Sequence, residues 1–173
     1  MHNIILISIM IVSFVCGSAD KNSIDTKQKT DKNIINDSPK TNLELNDNQT
    51  VIPASAKMEF AFGRNYKTYE PSQADIELAE KLLMECFNKE VSGTYNPFFG
   101  RKLDQYNRQF VPAEMEGGDK LIWINCFIYA DVDPVKKWKT DILYVADGGN
   151  AFFNLKVNLT RGTYYGLMVN GMP

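Results

Sequence analysis

Apolar and polar positions in the C-terminal part of the chain recur in short runs. Four runs of strand length, LIWINCFIYAD, TDILYVAD, NAFFNLKVNL and TYYGLMVNG, fill residues 120–171, and the connectors carry Asp, Gly, Pro and Asn. Runs rich in Ile, Val, Phe, Tyr and Trp between such turn formers predict an antiparallel meander. The run at 121–130 is apolar on both faces, which predicts a central strand: Ile122, Ile124, Cys126 and Ile128 point one way, Leu121, Trp123, Asn125, Phe127 and Tyr129 the other. A strand at 141–146 and a tight hairpin at 147–150 (DGGN) follow. Then Phe153, Leu155, Val157 and Leu159 alternate with Phe152, Asn154, Lys156 and Asn158, and a last strand covers 163–169. A first strand at 106–112 is expected to end at Pro112, with the turn at 116–119 reversing the chain.

Upstream the period changes. Across 71–89, Ile76, Ala79, Leu82, Leu83, Cys86 and Phe87 recur at three and four, and Ser72 with Asp75 reads as a cap. This predicts an amphipathic helix whose apolar stripe needs the sheet as its partner, with Glu77, Glu80, Lys81, Glu85 and Lys89 on the far side. Residues 57–70 read as a lead-in with room for one short strand. The predicted fold is therefore α+β: one amphipathic helix packed on a curled antiparallel meander of four to five strands.

The front of the chain reads as address and tether. Residues 4–16 (IILISIMIVSFVC) are apolar and too short for a bilayer span of roughly 20 residues, which fits a secretory signal over 1–19. Cys16 stands where a bacterial lipoprotein signal places its lipidated cysteine; the rival is cleavage after Ala19, behind the small residues Gly17 and Ala19. Residues 20–57 lack aromatic side chains and glycine and are expected to be a disordered tether, leaving 58–173 as one α+β domain. The expected location is outside the cytoplasm, periplasmic or anchored to the outer membrane, with secretion as the alternative. The N-terminal lipid is the one membrane contact expected.

Charge and chemistry then narrow the function. Nineteen basic against 21 acidic side chains give a net charge of −2, which does not suit a nucleic-acid binder. The single histidine is His2, so the mature domain has none for acid–base work, nucleophile activation or metal binding. Cys86 and Cys126, both expected at the helix–sheet interface, either pair in an oxidising compartment or sit as two small buried hydrophobes. Asp131, Asp133, Asp141 and Asp147 lack the glycine and terminal Glu of a calcium loop, and Lys136, Lys137 and Lys139 around Trp138 read as solvated. No metal and no cofactor are expected. Asn36, Asn48 and Asn158 fit the glycosylation pattern, which matters only in a eukaryotic secretory pathway.

Two surfaces carry the binding expectation. One is the sheet face away from the helix, where Trp123, Phe127, Tyr129, Tyr144, Phe152 and Tyr164 collect among Asn125, Asn154, Lys156, Asn158 and Asn170. Such rings and amides suit a glycan or a protein, unless the face is a second buried layer covered by the lead-in. The other is the loop carrying Phe98, Phe99 and Arg101, read either as an aromatic contact loop or as a plug for the open end of the helix–sheet sandwich.

The strings WINCFIYAD, DGGNAFFNLKVNL and TYYGLMVNG resemble the C-terminal halves of small uncharacterised exported and lipoprotein-like proteins of Bacteroidetes-type bacteria, over residues 100–173. That resemblance implies location rather than chemistry. One helix followed by a curled meander is also similar to cystatin-like and NTF2-like architectures, although the glutamine-valine-glycine hairpin of protease-inhibiting cystatins is not present. The leading expectation is a non-enzymatic exported module contacting a macromolecule or glycan. Its alternatives are an inhibitor or immunity-type protein that occludes another protein, and a small-ligand carrier or His-free enzyme with a pocket between helix and sheet.

Overall fold

The computed structural model describes residues 42–128 and 137–171. Its architecture is α+β, a six-stranded and mostly antiparallel sheet with one long helix across one face. The strands are β1 (Gln49–Val51), β2 (Tyr66–Lys67), β3 (Asn107–Met115), β4 (Lys120–Phe127), β5 (Phe152–Asn158) and β6 (Thr163–Val169). A one-turn helix α1 (Glu59–Phe62) lies between β1 and β2, and the main helix α2 (Gln73–Val91) between β2 and β3. The sheet runs β1-β3-β4-β5-β6, with β2 also on β3; only β1 and β3 pair in parallel.

Helix α2 begins where the sequence predicts. Ser72 Oγ accepts from Asp75 N at 3.2 Å while Ser72 N donates to Asp75 Oδ2 at 2.9 Å, a reciprocal cap that satisfies two otherwise orphaned donors. Ser72→Ala is expected to lower unfolding free energy by about 1 kcal/mol, read from the urea midpoint at unchanged slope. All six predicted core positions of the helix are buried, against Phe110, Ile122, Ile124, Phe153, Leu155 and Val157. Phe153 sits among the rings of Phe98 and Tyr106, each 4.8 Å away between centroids.

Several expectations are corrected. Pro112 does not end β3; it lies mid-strand, opposite Ile122. Arg108 N donates outward to Asn48 O and Phe110 O accepts from Ile52 N, so the even-numbered residues of β3 face the β1/β2 edge. Pro112 falls between Phe110, the last residue paired with β1, and Glu114, the first residue paired with β2 beyond it, where no ladder donor is needed. The expected tether reaches too far: from residue 42 the chain is described, and Gln49–Val51 is a strand whose buried Gln49 and Thr50 find polar partners in Glu80 and the Lys139 carbonyl. Residues 142–145 form no strand, and 147–150 is no hairpin; β4 pairs directly with β5, and Gly148 and Gly149 open a short 3-10 turn that enters β5. Tyr164 packs on the helix side of the sheet, not on the mixed face.

Cys86 and Cys126 are free thiols buried in the α2–sheet core. Burial pushes the Cys86 thiol up to about 11 and Cys126 further, and burial likewise holds the Tyr106 phenol up at about 12. These groups are neutral when protonated, so below about pH 8.5 they keep their protons in both folded and unfolded chains and do not alter stability. Above it the unfolded chain releases protons that the folded chain retains, and stability falls as pH rises toward the folded values. Melting temperature is expected to hold from neutral pH to about pH 8.5 and drop progressively beyond; a flat profile to pH 11 would remove this account.

Candidate functional site

The sheet face opposite α2 is the second buried layer, not an open surface. Two segments cover it. The lead-in crosses one half, with Ile52, Met58, Ala61 and Phe62 packed on Val111, Ala113, Leu121 and Trp123. Residues 137–147 form a strap over the other half, where Trp138 and Leu143 pack with Phe127, Ala151 and Phe152.

Side-chain amides hold the strap where a ladder would hold a strand. Gln109, fully buried, donates through Nε2 to Trp138 O at 2.6 Å and Asp141 O at 2.7 Å, and its Oε1 accepts from Leu143 N at 3.0 Å. Asn125 Nδ2 donates to Leu143 O at 2.8 Å and to Gln109 Oε1 at 3.0 Å. Two polar side chains on the sheet thus satisfy the backbone of a segment too irregular to pair with it. At the far end Asn170 Nδ2 donates to Val145 O and Asp147 O at 2.6 and 2.9 Å.

Lead-in and strap leave a cleft of about 400 Å³ between them and the β5–β6 end of the sheet. Its aromatic walls are Phe60, Trp123, Tyr144 and Phe152; its amides are Asn125, Asn154 and Asn170. Phe60 meets Trp123 edge to face at 5.6 Å and Tyr144 at 5.9 Å. Trp123 Nε1 donates to Asn154 Oδ1 at 3.1 Å, and among the described residues the Asn154 NH2 group donates to nothing. None of the residues lining the cleft carries a charged side chain. A bulge places Met168 on the rim: the β5–β6 register shifts between Asn154 and Lys156, Gly166 takes φ of 63°, and Tyr164 then shares a face with Leu167 and Val169.

Six of the residues predicted on the mixed face therefore meet in one place: Trp123, Asn125, Tyr144, Phe152, Asn154 and Asn170. The others do not join them. Phe127 is fully buried, 5.4 Å from the Trp138 ring. Lys156 Nζ donates to Ala61 O at 3.0 Å, capping the carbonyl end of α1. Phe98 stacks on Phe87 at 4.5 Å and plugs the sandwich, while its neighbour Phe99 is 84% exposed. Arg101 Nε donates to Asn150 Oδ1 at 3.2 Å, and Asn150 Nδ2 to Phe99 O at 3.2 Å, which braces the loop. Cys16, Tyr129, Asp131, Asp133 and Lys136 lie outside the described residues. Asn158 is buried, with its amide donating to Asp119 Oδ2 at 3.0 Å, so this glycosylation pattern is closed.

Sequence reasoning missed Phe60, Met168 and Gln109. Phe60 lay in a stretch without period, and Met168 is turned by the bulge; only the Gly166 inside an apolar run signalled it. Among the described residues no group of three or more His, Cys, Asp or Glu side chains could hold a metal, and no helix is long and apolar enough to cross a membrane. No protein family, no curated protein and no solved structure matches the chain.

Proposed function

We propose that this is an exported, non-enzymatic binding module whose cleft takes an uncharged glycan. The observation that carries the reading is the lining itself: flat aromatic walls beside carboxamides, with no charged group among them. Pyranose rings present C–H faces that stack on aromatic rings and hydroxyl edges that both donate to and accept from amides. A cleft floored by amides and lacking a carboxylate supports binding rather than bond breaking. The closed, apolar packing of α2 on the sheet argues against a ligand pocket between helix and sheet. Kinship with cystatin-like or NTF2-like folds, and the Bacteroidetes-type export with or without a lipid at Cys16, belong to the same proposal.

A second reading rests on the loop at 92–102. Tyr95 and Phe99 are 82% and 84% exposed on a frame braced by Phe98 and Asn150, which supports a contact with another protein, as an inhibitor or immunity-type protein would make.

The test is heteronuclear NMR of the folded chain against neutral oligosaccharides. The indole N–H of Trp123 is expected to shift on titration while that of Trp138, buried against Phe127, stays put. Tyr144→Ala should weaken binding by about 3- to 10-fold without changing the melting temperature, because this ring is 75% exposed. If neither indole responds to any sugar, the glycan reading fails.

A further inference from the structure

A second cavity, of about 700 Å³, opens on the same face between the lead-in and the start of the strap. It is lined by Ser55, Lys57, Thr140 and Asp141 among apolar neighbours, and it shares two residues with the first cleft: Phe60 and Tyr144. Both volumes fall within the roughly 300–1,000 Å³ of small-molecule sites. The shared rings stand edge to face at 5.9 Å and are 56% and 75% exposed, although each belongs to a segment otherwise held on the sheet by buried side chains. A ligand confined to the first cleft leaves both rings half wet. One that continues past them covers a ridge which is apolar, aromatic and already fixed in place.

Resting on the glycan reading, we propose that the two cavities are subsites for one extended, uncharged glycan chain that crosses between them by stacking on the Phe60–Tyr144 ridge. A linear chain matches two cavities joined through shared walls; a compact ligand matches one. The second cavity adds Lys57 and Asp141, opposite charges that together present donors and acceptors to hydroxyls without favouring an anion or a cation. A peptide strand fits less well. The cleft floor comes from β4 and β5, each flanked by paired strands on both sides, so no backbone ladder is open on the floor itself to an added strand; the sheet edge is β6, which reaches the cleft only with Met168 and Val169 at its end. What faces the ligand is side chain, rings and amides.

The experiment titrates the folded chain with linear neutral oligosaccharides built from glucose, mannose or xylose, each from monomer to hexamer, reading amide and indole shifts. Short members are expected to move Trp123 and Asn154 only. Longer ones should move Thr140 and Ile142 as well, with affinity rising by at least about 10-fold across the series as the second contact becomes intramolecular. Lys57→Ala, on an exposed side chain, should weaken the hexamer and leave the shortest binding member unchanged. Affinity that is flat in chain length, with Thr140 and Ile142 unmoved, overturns the two-subsite proposal and leaves the single cleft standing. Silence of Trp123 toward every sugar overturns both. A neutral peptide that moves both cavities where sugars do not replaces the ligand class and overturns the proposal as well.

Discussion

Replacing Gln109 by leucine is expected to release the 137–147 strap from the sheet while the α2 side stays packed. Gln109 has no exposed surface, and its amide holds two strap carbonyls, one strap N–H and the Asn125 amide. Leucine fills similar space and makes none of these bonds. Each polar group then left buried without a partner costs about 1–3 kcal/mol, and three strap groups lose theirs together, while Asn125 Nδ2 keeps only its bond to Leu143 O. Opening the strap lets water take those groups, at the expense of the contacts of Trp138 and Leu143. We expect a loss of about 2–4 kcal/mol in stability, with exchange of the Leu143 amide hydrogen accelerated far more than that of Ile124 in the central strand. Gln109→Glu should not rescue: an ionised carboxylate can accept from Leu143 N but faces the carbonyls of Trp138 and Asp141 with no donor. Because the strap carries Tyr144, both variants should also lose the cleft. An unchanged protection of Leu143 in Gln109→Leu would show that the apolar contacts alone hold the strap.

What could be read in advance was whatever had its own period. The stripe from Ile76 to Phe87, the cap at Ser72 and the two-sided burial of β4 were legible because three-four spacing and unbroken apolar runs have few other solutions. β1 was not, since a strand of three residues is too short to show alternation, and Gln49 and Thr50 look like coil until Glu80 and the strap supply their partners; β2 is the one short strand expected within 57–70, though its two residues could not be placed there. The strap misled for the opposite reason. ILYV at 142–145 alternates as a strand does, and nothing in it reveals that Gln109 and Asn125, on other strands, take up its backbone. Asn125 looked like one more amide of the mixed face, and Gln109 gave no signal of its own. Trp123 and Asn154 could be nominated together because alternation along β4 and β5 puts them on one face; Tyr144 was grouped with them by the parity of a strand that does not form, and the strap brings it there instead, while Phe60 could not be named because only tertiary packing of the lead-in places it.

Removing the guanidinium at Arg108 is the second change expected to have a large effect, and it acts on the cleft from the far side of the sheet edge. Arg108 is buried on β3, with Nε 3.4 Å from Glu80 Oε1 on α2 and a terminal nitrogen donating to Leu103 O at 2.9 Å. The same Glu80 oxygen accepts from Gln49 Nε2 of β1 at 2.7 Å. Glu80, which helical spacing places on the outer side of α2, is thus a junction for helix, edge strand and sheet. Arg108→Met leaves that carboxylate facing an apolar side chain with one amide donor, and breaking a buried pair from one side costs about 3–5 kcal/mol; the partial exposure of Glu80 puts the expectation near the lower end. The double change Arg108→Met/Glu80→Met removes the stranded charge and should recover at least about half of the loss, since two packed apolar side chains need no counterion. The consequence travels along the chain: β1 runs into Ile52 and Met58, which seat the lead-in, and the lead-in carries Phe60. In the single variant, melting should therefore be accompanied by earlier exchange at Ile52 N–H and by weaker sugar binding than in the double. If the double variant is no more stable than the single, the ion pair contributes through packing alone, and Glu80 is not what fixes β1 against the helix.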